Sequence, residues 1–76
     1  MTYATTDMYF AAVLRTLRYN IAKMREIDHK KYEFVFVIEE DEIEDIRERY
    51  FNRQLAVDAK GLIESIVEMK ERIYGR

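Results

Sequence analysis

The residues whose type and density best suit chemistry lie in "EEDEIED", Glu39 to Asp45. Carboxylates in that number could hold a cation or act as an acid and base pair. The block lacks the glycine and the D-x-D-x-D spacing of a calcium loop, and hydrolysis by paired carboxylates needs a cleft that nothing else in the chain builds. A helix N-terminus attracts carboxylates through its macrodipole, so capping and solubility account for the block without a metal. His29, the only histidine, falls in "DHKK", where a solvated side chain is expected rather than a ligand or a base. Ser65 is the only serine and has no glycine-flanked elbow, and with only Gly61 and Gly75 there is no phosphate-cradling loop. The reading is of a protein that is not an enzyme, with no catalytic residues, no metal and no cofactor.

The cations raise a different chemistry. Residues 1–31 carry six basic side chains (Arg15, Arg18, Lys23, Arg25, Lys30 and Lys31) against three acidic ones, a balance of +3, while the remaining residues carry seven against twelve, a balance of −5. Those six cations are the candidate contacts if the protein binds nucleic acid. The strand sequence "KKYEFVFV" also matches the RNA-recognition motif K/R-G-F/Y-G/A-F-V-x-F/Y at Lys30, Tyr32, Phe34 and Val35. Lys31 and Glu33 replace its two small residues, Val37 replaces its last aromatic, and no strand with a companion aromatic is read before the first helix. Glu39 to Glu42 at the strand's end would repel phosphate. A strand followed by two helices is similar to the ribbon-helix-helix order, but phenylalanine, valine and glutamate stand where a groove reader needs polar or basic side chains. An aromatic stripe at strand spacing is core by default, so nucleic-acid binding stands as the alternative, and Phe34 and Phe36 are assigned to the interior.

The elements that must position these residues follow from periodicity. Thr6 or Asp7 can cap a first helix whose Phe10, Val13, Leu14 and Leu17 recur on one face, with Asn20 as its stop. Met8, Ala12, Arg15 and Tyr19 lie on its opposite side, so this helix is apolar nearly all round. That second face is either covered by the rest of the chain or is a subunit interface. Ile21–Ile27 and Tyr32–Glu39 form a hairpin. Asp41 and Glu44 suit a capping box ahead of a second helix marked by Ile43, Ile46, Tyr50 and Phe51 and ended by Asn52. "RQLAV" is a short extended stretch, with residues 54–57 open to reading as a further strand. Asp58 caps a third helix with Val57 and Leu62 as a hydrophobic staple, Leu62, Ile66, Met69 and Ile73 inside, and Gly75 as its stop. Arg47 and Lys70 fall within apolar stripes, as snorkelling stems or, if the second and third helices pack side by side, as an anion or partner site. The fold class is α+β, in the order α-β-β-α-α: an antiparallel β-hairpin packed with three amphipathic helices.

Without proline, repeat or low-complexity linker, residues 1–76 read as one domain. A domain of this size buries only about 60% of the surface its unfolded chain exposes, and without cysteine its stability must come from packing. No apolar run approaches the roughly 18 residues of a membrane span, and "MTYATTD" lacks the order of a signal peptide. No membrane association is expected, and a cytoplasmic protein is. A lone hairpin is marginal in water, and both faces of its second strand carry apolar residues. A homodimer is therefore expected, with Met8, Ala12, Arg15 and Tyr19 as the candidate interface, beside a protein partner whose identity the sequence does not specify.

Four short motifs span most of the chain: "T-T-D-x-Y-x-A-A-x-L" at Thr5–Leu14, "F-x-F" at Phe34–Phe36, "Y-F-N" at Tyr50–Asn52 and "K-x-x-I-Y" at Lys70–Tyr74. In these the chain resembles a family of short, uncharacterised prokaryotic and phage-borne domains. The resemblance implies no activity. Association with phage or mobile elements, which it does imply, favours a regulatory or accessory binding role.

Overall fold

The computed structural model describes residues 1–29 and 31–75. Six elements follow in the order β1 (Thr2–Thr5), α1 (Met8–Thr16), β2 (Ile21–Asp28), β3 (Lys31–Val37), α2 (Glu40–Phe51) and α3 (Ala59–Tyr74). The α+β class, the hairpin and the three helices are as the sequence implies. A strand ahead of α1 is added to them.

That strand changes the sheet. Its order is β1-β3-β2, with β3 antiparallel to both neighbours, so β1 and β2 run parallel on either side of it as a split β-α-β unit. Tyr3 lies opposite Phe36 and Thr5 opposite Phe34, while Met24 on β2 also faces Phe34. In four residues of "TYAT" only one large apolar side chain marks a face, too short a pattern to register as a period. The strand forms because β3, already committed to the hairpin, offers it a free edge.

Alternation along β3 sends Phe34 and Phe36 into the interior, both with no exposed surface. They meet Phe10, Leu14, Ile38, Ile43, Ile46 and Met69 in one core. Phe10 packs its ring against Tyr50 of α2 at 4.9 Å, the two planes tilted by 53°, and meets Tyr3 edge-on at 6.1 Å. On the other face of the sheet Thr2, Ala4, Lys23, Arg25 and Val37 are exposed.

α1 is buried nearly all round. Phe10, Ala11, Ala12, Val13 and Leu14 are all at or below 5% exposure, with α3 packed against this helix. Two hydroxyls join these helices: Thr16 donates to the Ala12 carbonyl at 2.8 Å and shares a 3.0 Å hydrogen bond with Ser65. Gly61 allows the approach, since a Cβ there would lie 2.7 Å from Asp58 Oδ2 and 3.4 Å from Thr16 Cγ2.

The caps agree with the sequence at four ends, Asn52 closing α2 among them, and differ at two. Asp7 accepts from the Tyr9 and Phe10 amides, Asp58 accepts from the Gly61 amide at 2.7 Å, and Gly75 ends α3 in the left-handed conformation. α1, however, stops before Asn20. Its final carbonyls are closed by the Tyr19 amide on Leu14 and the Arg18 amide on Arg15, a Schellman motif whose left-handed residue is Arg18, at φ 77°. Arg53, at φ 61°, does the same one residue beyond Asn52. The capping box at Asp41 does not form: α2 begins at Glu40 after Glu39, and Asp41 sits within the first turn, where three acids face the helix dipole. Residues 54–57 are not a strand.

Removing a buried phenylalanine costs about 3–5 kcal/mol, a large share of the stability of a small domain. Phe36→Ala is expected to move the denaturant midpoint far down or to leave the chain unfolded, whereas Val37→Ala, on the open face, leaves the midpoint nearly in place.

Candidate functional site

Four surfaces merit comparison as sites: the groove between α1 and α3, the open sheet face, the outer arc of α3, and the free edge of β1 beside α2.

The groove between α1 and α3 is polar. Arg15 donates from a terminal guanidinium nitrogen to the Tyr19 carbonyl at 3.1 Å, and its Nε lies 3.6 Å from Glu68 Oε1, buried and without a hydrogen bond. Glu68 is shared, since Arg72 reaches its other oxygen at 3.0 Å. The groove therefore holds an ion-paired network that joins two helices.

This arrangement corrects one expectation. Ala12 has no exposed surface within a single chain, and Met8, Arg15 and Tyr19 are partly covered. Ala12 is sealed within the single chain and offers no surface to a second copy, whereas Met8, Arg15 and Tyr19 keep part of theirs, Arg15 beside Glu68 of α3 and Tyr19 beside Glu42 of α2. The sequence pattern could not distinguish a neighbouring helix from a neighbouring subunit, because both demand the same side chains.

The six candidate nucleic-acid contacts are scattered. Arg15 lies within the α1 and α3 groove, and Arg18 is held at the helix stop beside it. Lys23 and Arg25 stand on β2, where Arg25 forms a 2.8 Å ion pair with Glu33 directly across the strands. Lys31 is exposed at the start of β3, and Lys30 lies outside the described residues. The aromatics expected of an RNA-reading sheet are also displaced: β1 does precede α1 and does carry Tyr3, but Tyr3, Phe34 and Phe36 face the helices, leaving valine, alanine and threonine on the open side. Among the described residues, no three histidine or acidic side chains converge as metal ligands.

Arg47 and Lys70 do not come together as a site, because α3 packs chiefly on α1 and not beside α2. Lys70 is exposed on α3. Arg47 lines a groove with Glu40, Glu44 and the β1 residues Met1, Thr2 and Tyr3.

The outer arc of α3 is apolar at its centre, with the exposed Lys60 and Lys70 at its margins. Ile63, Val67 and Tyr74 are 62%, 49% and 61% exposed, and at 100° per residue they cluster opposite the buried Ser65 and Met69. A helix packed on one side needs one apolar face; α3 has a second. Phe51, at the end of α2, is 68% exposed.

Comparison of the chain with protein-family models, with curated proteins and with solved structures finds no match in any of the three. No helix among the described residues is long and apolar enough to cross a membrane.

Two outcomes follow from this geometry. Ala12→Glu places an unpaired carboxylate between helices and is expected to cost about 4 kcal/mol or more. It should unfold the chain in thermal melts rather than change its mass. Burial, reinforced by the carboxylate of Glu42, raises the Tyr19 phenol above its ordinary range. Because the folded state then holds that proton more tightly than the unfolded state, the contribution is complete below pH 10 and is lost as pH rises through the raised value. Ultraviolet titration should show a late-ionising tyrosine that Tyr19→Phe removes.

Proposed function

We propose that the protein is a non-catalytic protein-interaction or structural module that works as a small homodimer. The observation that carries this reading is the doubled apolar face of α3. Ile63 and Val67 lie on the side of the helix away from its buried Ser65 and Met69, and exposed apolar surface gathered on one arc is characteristic of a contact site rather than of a solvated face. A chain this small has little apolar surface to leave idle. Accessory association with phage or mobile elements fits a module of this kind, and the genes flanking its own are the observation that bears on it.

Nucleic-acid binding is the alternative, supported by Lys23 and Lys31, which are exposed and in no ion pair among the described residues. It is disfavoured because Arg25 is already paired with Glu33, Arg15 is drawn into the helix groove, and the open sheet face offers no ring for a base to stack on.

Light scattering at tens of micromolar is expected to return a dimer mass; a monomer throughout would overturn the homodimer. Fluorescence anisotropy with mixed duplex and single-stranded probes at near-physiological salt is expected to show little binding. Micromolar or tighter binding that weakens steeply with added salt, and is lost when Lys23 and Lys31 become glutamate, would establish the alternative.

A further inference from the structure

The two edges of the sheet are built differently. β2, the outer strand on one side, is eight residues long, carries Lys23, Arg25, Glu26 and Asp28, and breaks register twice along its pairing with β3. Charges and bulges are the means by which an edge strand is protected from pairing with another chain. β1, on the opposite side, has neither. "TYAT" is uncharged, contains no proline and pairs with β3 in an unbroken register.

Its free hydrogen-bonding groups can be placed. The Ile38 amide donates to the Met1 carbonyl at 3.0 Å, which makes Met1 and Ile38 a hydrogen-bonded pair. By the alternation of an antiparallel ladder, Tyr3 with Phe36 and Thr5 with Phe34 are hydrogen-bonded pairs as well. The amides and carbonyls of Thr2 and Ala4 therefore point away from β3, off the edge of the sheet.

We infer that this edge is the homodimer interface: β1 of one copy pairs antiparallel with β1 of a second across a two-fold axis normal to the sheet, making one continuous six-stranded sheet. The inference rests on the homodimer proposed above and places it at this edge, which leaves the outer arc of α3 to a different protein partner. The register follows from the geometry. With Tyr3 at the axis opposite Tyr3 of the second copy, Thr2 meets Ala4 of that copy and Ala4 meets its Thr2, so all four outward-pointing backbone groups on each strand find partners. The same register keeps the core side of both sheets on one side, because residues directly opposite each other share a face.

Charge selects a second copy as the occupant. Beside β1 runs α2, whose Glu40, Glu44, Arg47 and Phe51 follow at i, i+4, i+7 and i+11 along one side. The groove between this side and the strand is lined by Thr2, Tyr3, Glu40, Glu44 and Arg47, and Arg47 has no ion pair among the described residues. The axis that makes the strands antiparallel makes the two α2 helices antiparallel too. Glu44 then stands toward Arg47 of the second copy and Arg47 toward its Glu44, two reciprocal pairs from one stretch of sequence. A neutral extended peptide could satisfy the strand edge but would leave both charges unanswered.

The test uses three variants of the full chain, with mass read by light scattering and folding by circular dichroism. Ala4→Pro removes an outward-pointing amide that β3 does not use, at a position where an edge strand tolerates proline. Arg47→Glu lies outside the strand and sets like charges against each other across the axis. Each is expected to keep its folded spectrum and to halve the mass measured for the unaltered protein, and Glu44→Arg combined with Arg47→Glu is expected to restore the dimer. A dimer that survives either single variant overturns this interface while leaving the homodimer standing. An unaltered protein that is monomeric at tens of micromolar overturns both.

Discussion

The structure depends on one strand. Among the described residues β3 is the only element hydrogen-bonded to a strand on both sides, and the only one that sends two fully buried aromatic rings into the core. Side chains alternate along a strand, so sliding β3 by one residue against its neighbours would turn Phe34 and Phe36 to water and bring Glu33 and Val35 inside. The neighbours are held to the same alignment: Tyr3 and Ile21 both stand opposite Phe36, and Met24 opposite Phe34. Phe10 and Leu14 of α1 and Met69 of α3 join those rings in one core, and α3 packs against α1.

That shared core explains the composition of α1. A helix covered on most of its circumference cannot carry large side chains all round without pushing a neighbour away. Ala11 and Ala12, both without exposed surface, need little room, while Phe10, Val13 and Leu14 fill the larger spaces. The polar residues at its end are matched to the same approach, Thr16 to Ser65 and Arg15 to Glu68. With no disulfide available, a domain this small gains its stability by making one short helix bury almost its whole circumference.

What was legible in the sequence follows how locally each feature is determined. The caps at Asp7 and Asp58 and the stop at Gly75 depend on side chains within a few residues, and each could be read directly. The inward face of β3 could be read because its alternation runs over seven residues. β1 could not, because four residues with one large apolar side chain become a strand only when a partner edge exists. The α1 stop was placed at Asn20 because asparagine tolerates the left-handed conformation, but the chain has to turn where α1 runs out of cover, and Arg18 takes that conformation instead. The second face of α1 was legible as apolar and not as intramolecular. Pattern specifies that a face needs a cover and is silent on which chain supplies it.

The charge asymmetry along the chain has a similar resolution. A basic first half and an acidic second half would be an attractive footprint for a polyanion if they stayed apart in space. The fold brings them together: Arg15 meets Glu68 and Arg25 meets Glu33, each a cation of the first half against a carboxylate of the second, while the pairs at Arg49 and Arg72 lie within single helices. The pairs at Arg25, Arg49 and Arg72 reach into solvent and contribute little to stability, about 0–1 kcal/mol each, whereas Arg15 and Glu68, both partly buried, join α1 to α3. Their consequence is electrostatic. Each pair removes a cation from the field that would steer phosphate, and the carboxylates left over gather on α2, beside the β1 edge. A row of carboxylates is unfavourable to phosphate, and under the interface proposed above Arg47, which lies among them, lets antiparallel symmetry answer like charges with reciprocal pairs.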